Sequence, residues 1–266
     1  MVPTRDNART PVVLLHGFAQ SGAAWNEVAQ KLQASGHVTY APDLASLNAP
    51  FTFEEVCSHV TKLLHTVAQT HGRPPLLVGY SMGGRIVLET LVRAMIARSL
   101  EQLPLAGVVV ESAGLGPKDD GARIELEKRN RAWAHELRSA GIETFMDRWE
   151  ALSLFASQRN LPEYVRVRVR AERMANDPQV LACMLENLGQ HCQSYEGDVL
   201  TALACASRRG IPVCYVAGAL DEKYVAVSRL VASAVPNVRV AVVPGAGHNV
   251  HLEKPEAFLD VICGCL

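Results

Sequence analysis

Ser81 lies between glycines in Gly79-Tyr80-Ser81-Met82-Gly83, where the apolar run PLLVGY gives way to the helical pattern GGRIVLETL. A serine on a tight strand-to-helix turn has its hydroxyl lifted above a sheet. It then sits at a helix N-terminus, whose dipole and free amides favour developing negative charge. Such a hydroxyl is a poor nucleophile or base until a histidine accepts its proton, and the histidine needs a carboxylate to orient it. The chain order expected for this turn is serine, acid, histidine. After Ser81, VCYVAGALDEKY ends an apolar run with Asp221, and VAVVPGAGHNVHLEKP ends the next with His248. Both side chains are expected at the C-terminal edge of one sheet, where open α/β sheets bind ligands. Ser81, Asp221 and His248 form the candidate triad. The alternative is a turn serine with no chemistry, and the strand before and helix after Ser81 argue against it.

An oxyanion hole at such a turn uses the amide after the serine, here Met82, and one from a loop after an earlier strand. LLHGFAQSG supplies that loop, and Phe18 is the candidate amide. His16 is expected to fix the loop by hydrogen bonding. His251 is the rival base, and with His248 it has the spacing of a metal pair, but no ligand pattern completes the site. His37, His59, His65, His71 and His135 read as surface or helix-face residues. His191 reads as a loop residue that could face the cleft.

These groups need a scaffold that brings distant strand ends together. TPVVLLHGF, HVTYAPDL, PLLVGYS and LAGVVVESA read as buried strands, separated by helical SGAAWNEVAQKLQASG, TFEEVCSHVTKLLHTVAQTHG and GGRIVLETLVRAMIARSL. Thr52 and Glu55 form a capping box at the start of the second helix. This alternation predicts a mostly parallel sheet with helices on both faces. From about residue 117 to 205 no buried strand is evident. RIELEKRNRAWAHELRSAG, IETFMDRWEAL and PQVLACMLENLGQH read as helices. PEYVRVRVRAERMAND alternates in part like an edge strand, but Pro162 and the continuation to Met174 favour helix. Strands return at IPVCYVAGALD and VRVAVVPGAGH, and EAFLDVICGCL closes the chain as a helix. The expected organisation is a core of residues 1–115 and 206–266 with a helical cap of residues 116–205.

Composition narrows the classes. The 266 residues suit one α/β domain with an insertion, and 48% apolar with 20% charged is ordinary for a globular chain. A net charge of −1 gives no overall field for nucleic acid or an anionic membrane. The start, MVPTRDNART, lacks a signal-peptide apolar core, and no run approaches a bilayer span, so a cytoplasmic protein is expected. Cys57, Cys183, Cys192, Cys205, Cys214, Cys263 and Cys265 follow no zinc or redox spacing and are expected as buried, reduced thiols. Cys263 and Cys265 could hold a soft metal, but no second pair supports it. No phosphate loop or other cofactor motif is present, so no cofactor is expected.

Over nearly its whole length the chain resembles the α/β-hydrolase superfamily. GYSMGGR, SLFASQ, RMANDP, LDEKY and PGAGHNVHLEKPEAF resemble one member family, the 2-succinyl-6-hydroxy-2,4-cyclohexadiene-1-carboxylate synthases (MenH). The resemblance implies a carbon–oxygen lyase of menaquinone biosynthesis. The triad would remove a proton from a small polycarboxylate substrate, and pyruvate would be eliminated. It also implies that Tyr80 and Arg85 bind substrate. Arg85 lies one helical turn after Ser81, where a guanidinium offers a fork to a carboxylate. Motif matching adds Arg173, three residues before Asn176, and Trp149, for which core packing is the alternative. Ten of the twenty arginines lie between Arg123 and Arg173, but eleven acids share residues 119–177.

Two departures stand out. Where the family has paired arginines in the first cap helix, this chain has Arg123 at the first place and Leu126 at the second, with Arg129 as substitute. Where the family reads DLPGHG, this chain reads DLASLNAP. The other readings of the residues are a serine hydrolase acting on an ester, lactone or carbon–carbon bond with the same triad, and a non-catalytic ligand-binding member.

Overall fold

Four of the expected strands are completely buried, because helices cover both faces of a parallel sheet and leave no polar side. The computed structural model describes residues 9–46 and 51–266. In it, β1 (Val12–Leu15), β2 (Thr39–Tyr40), β3 (Leu76–Tyr80), β4 (Gly107–Glu111), β5 (Val213–Gly218) and β6 (Arg239–Val243) form one sheet in the order β2-β1-β3-β4-β5-β6. Every pairing is parallel, with Leu14 opposite Val78, Gly79 opposite Val110 and Val110 opposite Tyr215. HVTYAPDL supplies only a two-residue edge strand. The loop difference at DLASLNAP falls partly on residues 47–50, outside the described residues.

Alternate side chains of each strand enter opposite cores. Val12 and Leu14 of β1 and Leu76 and Val78 of β3 pack with Trp25, with Val28 and Leu32 of α1 (Asn26–Ala34), and with Phe258 and Ile262 of α10 (Pro255–Cys263). Val13, Leu15 and Leu77 face α2 (Phe53–His71), α3 (Met82–Ile96), α7 (Glu196–Arg208) and α8 (Glu222–Ala234). Each fully buried Val or Leu contributes on the order of 1.5–3 kcal/mol. The Thr52–Glu55 capping box at the start of α2 is formed in both directions.

Between β4 and β5 the chain builds a helical layer over the C-terminal edge of the sheet. Its elements are α4 (Asp120–Ala151), a 3₁₀ segment Ser153–Asn160, α5 (Glu163–Met174) and α6 (Pro178–Asn187). The two helices expected from RIELEKRNRAW and IETFMDRW are one run kinked at Gly141, whose φ of 80° lies in the left-handed region. YVRVRVR is helical in α5, with Val165, Val169 and Arg173 buried on one face and Tyr164 and Val167 exposed on another. The expected cap limit at 205 falls inside α7, which packs its Val199, Ala202 and Leu203 into the same core as α3. That helix therefore covers the sheet rather than capping it.

Two expectations about single residues need correction. His37 is buried, because its Nδ1 bonds the Thr10 carbonyl beneath the start of β1. All seven cysteines are free, but only Cys57 and Cys214 are buried, while Cys192 and Cys263 are exposed on helical ends. Among the described residues no helix is long and apolar enough to cross a membrane, and no cluster of three metal-ligating side chains occurs.

Candidate active site

The turn from β3 to α3 forces Ser81 to φ 51° and ψ −106°, a conformation costly for any residue with a Cβ. It survives because both flanks are fixed. The Ser81 amide donates to the Glu111 carbonyl at 2.8 Å, and the Arg85 amide donates to the Ser81 carbonyl at 3.0 Å. A Cβ on Gly83 would run into the Leu15 carbonyl, so this turn can lie against the end of β1 only with glycine there.

From neighbouring strand ends come the other two members. Asp221 follows β5 and caps α8, its Oδ1 accepting from the Tyr224 amide at 3.3 Å. His248 lies in the loop between β6 and α9 (Val250–Glu253), with Nδ1 2.8 Å from Asp221 Oδ2 and Nε2 3.2 Å from Ser81 Oγ. Asp221 and His248 are both buried. With Nδ1–H given to Asp221, Nε2 is the acceptor for the serine proton, the geometry a relay needs. Tyr80, Tyr224 and Phe155 pack around the imidazole at ring separations of 5.4, 4.9 and 6.0 Å.

The Phe18 and Met82 amides have no acceptor among the described residues, as oxyanion donors require. His16 holds the Phe18 loop in shape: its Nδ1 bonds the Gly17 carbonyl, and its Nε2 accepts the Leu44 amide at 2.9 Å. His251 takes no part in the triad. Its Nδ1 lies 2.7 Å from Glu111 Oε2, and its ring stacks on Trp25 at 3.9 Å. His191 is held by Asn130 outside the cleft.

A cavity of about 120 Å³ opens onto Ser81 and His248. Among the described residues four cations line it (Arg85, Arg129, Arg173 and Lys223) and no carboxylate does. Arg85 donates to the Leu188 carbonyl at 3.0 Å, its Nε has no partner, and no carboxylate lies within 4 Å among the described residues. Burial pushes this guanidinium down to about 10. Tyr80 also lines the cavity, with its hydroxyl unpartnered among the described residues. Burial first, and the Glu111 charge next, push its phenol well above the ordinary value, so it remains a donor.

The cap residues divide. Arg173 is buried over the Phe155 ring, with bonds to Glu150 at 3.0 Å and Gln158 at 3.1 Å. Trp149 both packs and lines: its ring meets Phe18, Phe145, Trp133 and Phe155 at 5.0 to 5.7 Å and forms part of the cavity wall. Arg123 lies elsewhere, bonded to the His191 carbonyl and stacked over Tyr195 on a separate surface hollow. Its substitute Arg129 is the one that reaches the cavity, over Trp133 at 5.2 Å. Lys223 was not singled out from the sequence. Its place two residues after Asp221, on the first turn of α8, is the signal that could have found it.

A model of the alpha/beta hydrolase family matches residues 12–261. A Bacillus subtilis (strain 168) protein provisionally named 2-succinyl-6-hydroxy-2,4-cyclohexadiene-1-carboxylate synthase is 30% identical, over 96% of this chain and 90% of its own. The Salmonella paratyphi B protein of the same name is 28% identical over 96% and 93%. Among solved structures, MenH from S. aureus superposes with a TM-score of 0.85 at 27% identity, over 98% of this chain and 95% of its own. A thermophilic esterase from Thermogutta terrifontis shares the fold, with a TM-score of 0.75 at 22% identity over 97% and 89%.

Proposed function

The chain belongs to the α/β-hydrolase family, and we propose that it is a carbon–oxygen lyase of menaquinone biosynthesis. It acts in the cytoplasm on 2-succinyl-5-enolpyruvyl-6-hydroxy-3-cyclohexene-1-carboxylate, a small tricarboxylate. Pyruvate is eliminated, leaving 2-succinyl-6-hydroxy-2,4-cyclohexadiene-1-carboxylate. The observation that carries this reading is the cavity wall: among the described residues, four cations and no carboxylate around a serine–histidine pair. Unpaired buried guanidinium groups are costly, and a cleft for neutral esters has no use for them. The names of the relatives support the same product.

In this mechanism His248 Nε2 draws the proton from Ser81 Oγ, and the serine oxygen takes a ring proton from the substrate. Electrons move into the ring, the bond to the enolpyruvyl oxygen breaks, and the departing pyruvate enolate takes a proton back. The Phe18 and Met82 amides face the oxygen on which charge develops, and Tyr80 donates beside them. Arg85 and Arg129 hold carboxylates, while Arg173 offers the donors that Glu150 and Gln158 leave free.

Serine hydrolysis is the second reading, favoured by the positive-φ serine and its 3.2 Å bond to His248. One experiment separates the two. The precursor is generated enzymatically and pyruvate release is followed with a coupled dehydrogenase. Release well above the buffer rate is expected, with slow turnover of a p-nitrophenyl ester. No release together with fast ester turnover would overturn the lyase reading.

A further inference from the structure

The loop that presents His248 and the short helix α9 that follows it are gripped by two carboxylates outside the triad. Glu253, half-buried in α9, accepts from the Gly247 amide at 2.7 Å with Oε2 and from the Asn249 amide at 3.3 Å with Oε1. These are the amides on either side of His248. Glu111, fully buried at the end of β4, accepts from the His251 amide at 3.1 Å with Oε1 and bonds the His251 ring at 2.7 Å with Oε2. The backbone carbonyl of the same Glu111 holds the Ser81 amide at 2.8 Å. Residue 111 therefore ties the serine turn and the histidine loop to one point. The Tyr80 ring is wedged between the rings of His248 and His251, at 5.4 and 5.0 Å.

We propose that Glu253 and Glu111 are positioning residues that together set His248 against Ser81. A carboxylate has two acceptor oxygens and no donor. Each of these spends one oxygen on each of two N–H groups: Glu253 on the amides that flank His248, and Glu111 on the amide and ring of His251 in α9. The Leu220 amide holds the Ala246 carbonyl on the β6 side of the loop at 2.9 Å, and the two carboxylates set its α9 side. Glu253 grips the loop locally, and Glu111 anchors α9 to the strand that also anchors Ser81. The role does not depend on which reaction the triad performs.

Glutamine is the diagnostic replacement. It keeps size and shape but turns one oxygen into an NH₂ donor, which then faces an N–H. The experiment makes Glu253→Gln and Glu111→Gln in the full chain. The first readout is the far-downfield ¹H NMR signal of the His248 Nδ1 proton, assigned by its absence in His248→Ala. The second is kcat and KM for pyruvate release. In each variant the signal should shift or broaden into exchange. The kcat should fall on the order of 10- to 100-fold, as small misplacements of reacting groups do. KM should stay within about twofold, with cooperative melting retained. Should Glu111→Gln fail to fold, Glu253→Gln decides, because its side chain reaches solvent. A parent-like signal and kcat, with only the melting temperature lowered, would overturn the proposal. The NMR signal needs no substrate, so a failure of the lyase reading leaves this test standing.

Discussion

Replacing Arg85 by methionine should make the protein more stable and the enzyme worse, and both magnitudes follow from the site. Burial holds the guanidinium at about 10, roughly 2–3 pH units under its ordinary value, and each unit is worth ~1.36 kcal/mol. That sets about 3 kcal/mol as the cost of keeping Arg85 charged without a carboxylate. The side chain is partly exposed, so solvent screening leaves about half of this. The bond to the Leu188 carbonyl returns about 1 kcal/mol when present. The net gain for Arg85→Met is about 0.5–1 kcal/mol, a rise in Tm of roughly 1–3 °C for a chain of this size. The loss of a desolvated guanidinium–carboxylate contact costs about 2–5 kcal/mol, which lowers kcat/KM by about 30-fold or more. A variant less stable than the parent by more than about 1 kcal/mol, with kcat/KM unchanged, would show that Arg85 is a strut to the cap at Leu188 and refute the reasoning.

Two further outcomes test the assignment of the wall and the turn. Arg129→Ala should raise KM for the precursor on the order of tenfold while Arg123→Ala leaves it within about twofold, measured by pyruvate release. The reverse order would restore Arg123 to the site. Gly83→Ala should destabilise by about 3 kcal/mol or more in urea unfolding, because its Cβ meets the Leu15 carbonyl and backbone cannot yield as a side chain can. A loss under about 1 kcal/mol would mean that the turn and β1 are not packed as described.

What the sequence disclosed follows the range of the forces involved. Buried strands announce themselves as unbroken apolar runs, and VVLL, LLVGY, GVVVE and VCYVAG all occupy the sheet. Short-range chemistry is equally plain: the Thr52–Glu55 box is formed, and Ser81 has the backbone its glycines suggested. Side-chain direction on a helix was not legible. Arg123 and Arg129 lie six residues apart, about 240° around α4, so one faces the cavity and the other the outside. Which one does so depends on how α4 rolls on α6, a tertiary matter that a motif alignment cannot supply. The cap limit failed for a related reason, since the apolar face of α7 fits a cap or a sheet equally well. Glu111 shows a third kind of gap. An acid ending an apolar strand reads as the strand's polar stop, and only the chain's return at His251 gives it work.

The distribution of charge also separates binding from stabilising roles among the arginines. Arg170 and Arg173 share Glu150 at 2.9 and 3.0 Å, and Asp147 completes Arg170, so this network is spent holding α5 to α4. Arg173 still faces the cavity, but its charge is already offset, so it suits orientation by hydrogen bonding more than net attraction. Arg85 has no such offset and sits on α3 beside the serine, on the sheet side of the cleft. Lys223, on the first turn of α8, flanks Asp221 from the same side. Among the described residues, the uncompensated positive charge nearest the triad therefore lies on α3 and α8, and the cap contributes Arg129, the aromatic wall and a neutralised Arg173. For the elimination proposed above, that charge would hold carboxylates beside the serine without a contribution from the cap, so that a carbon-bound proton, itself without charge to guide it, could be brought to the base.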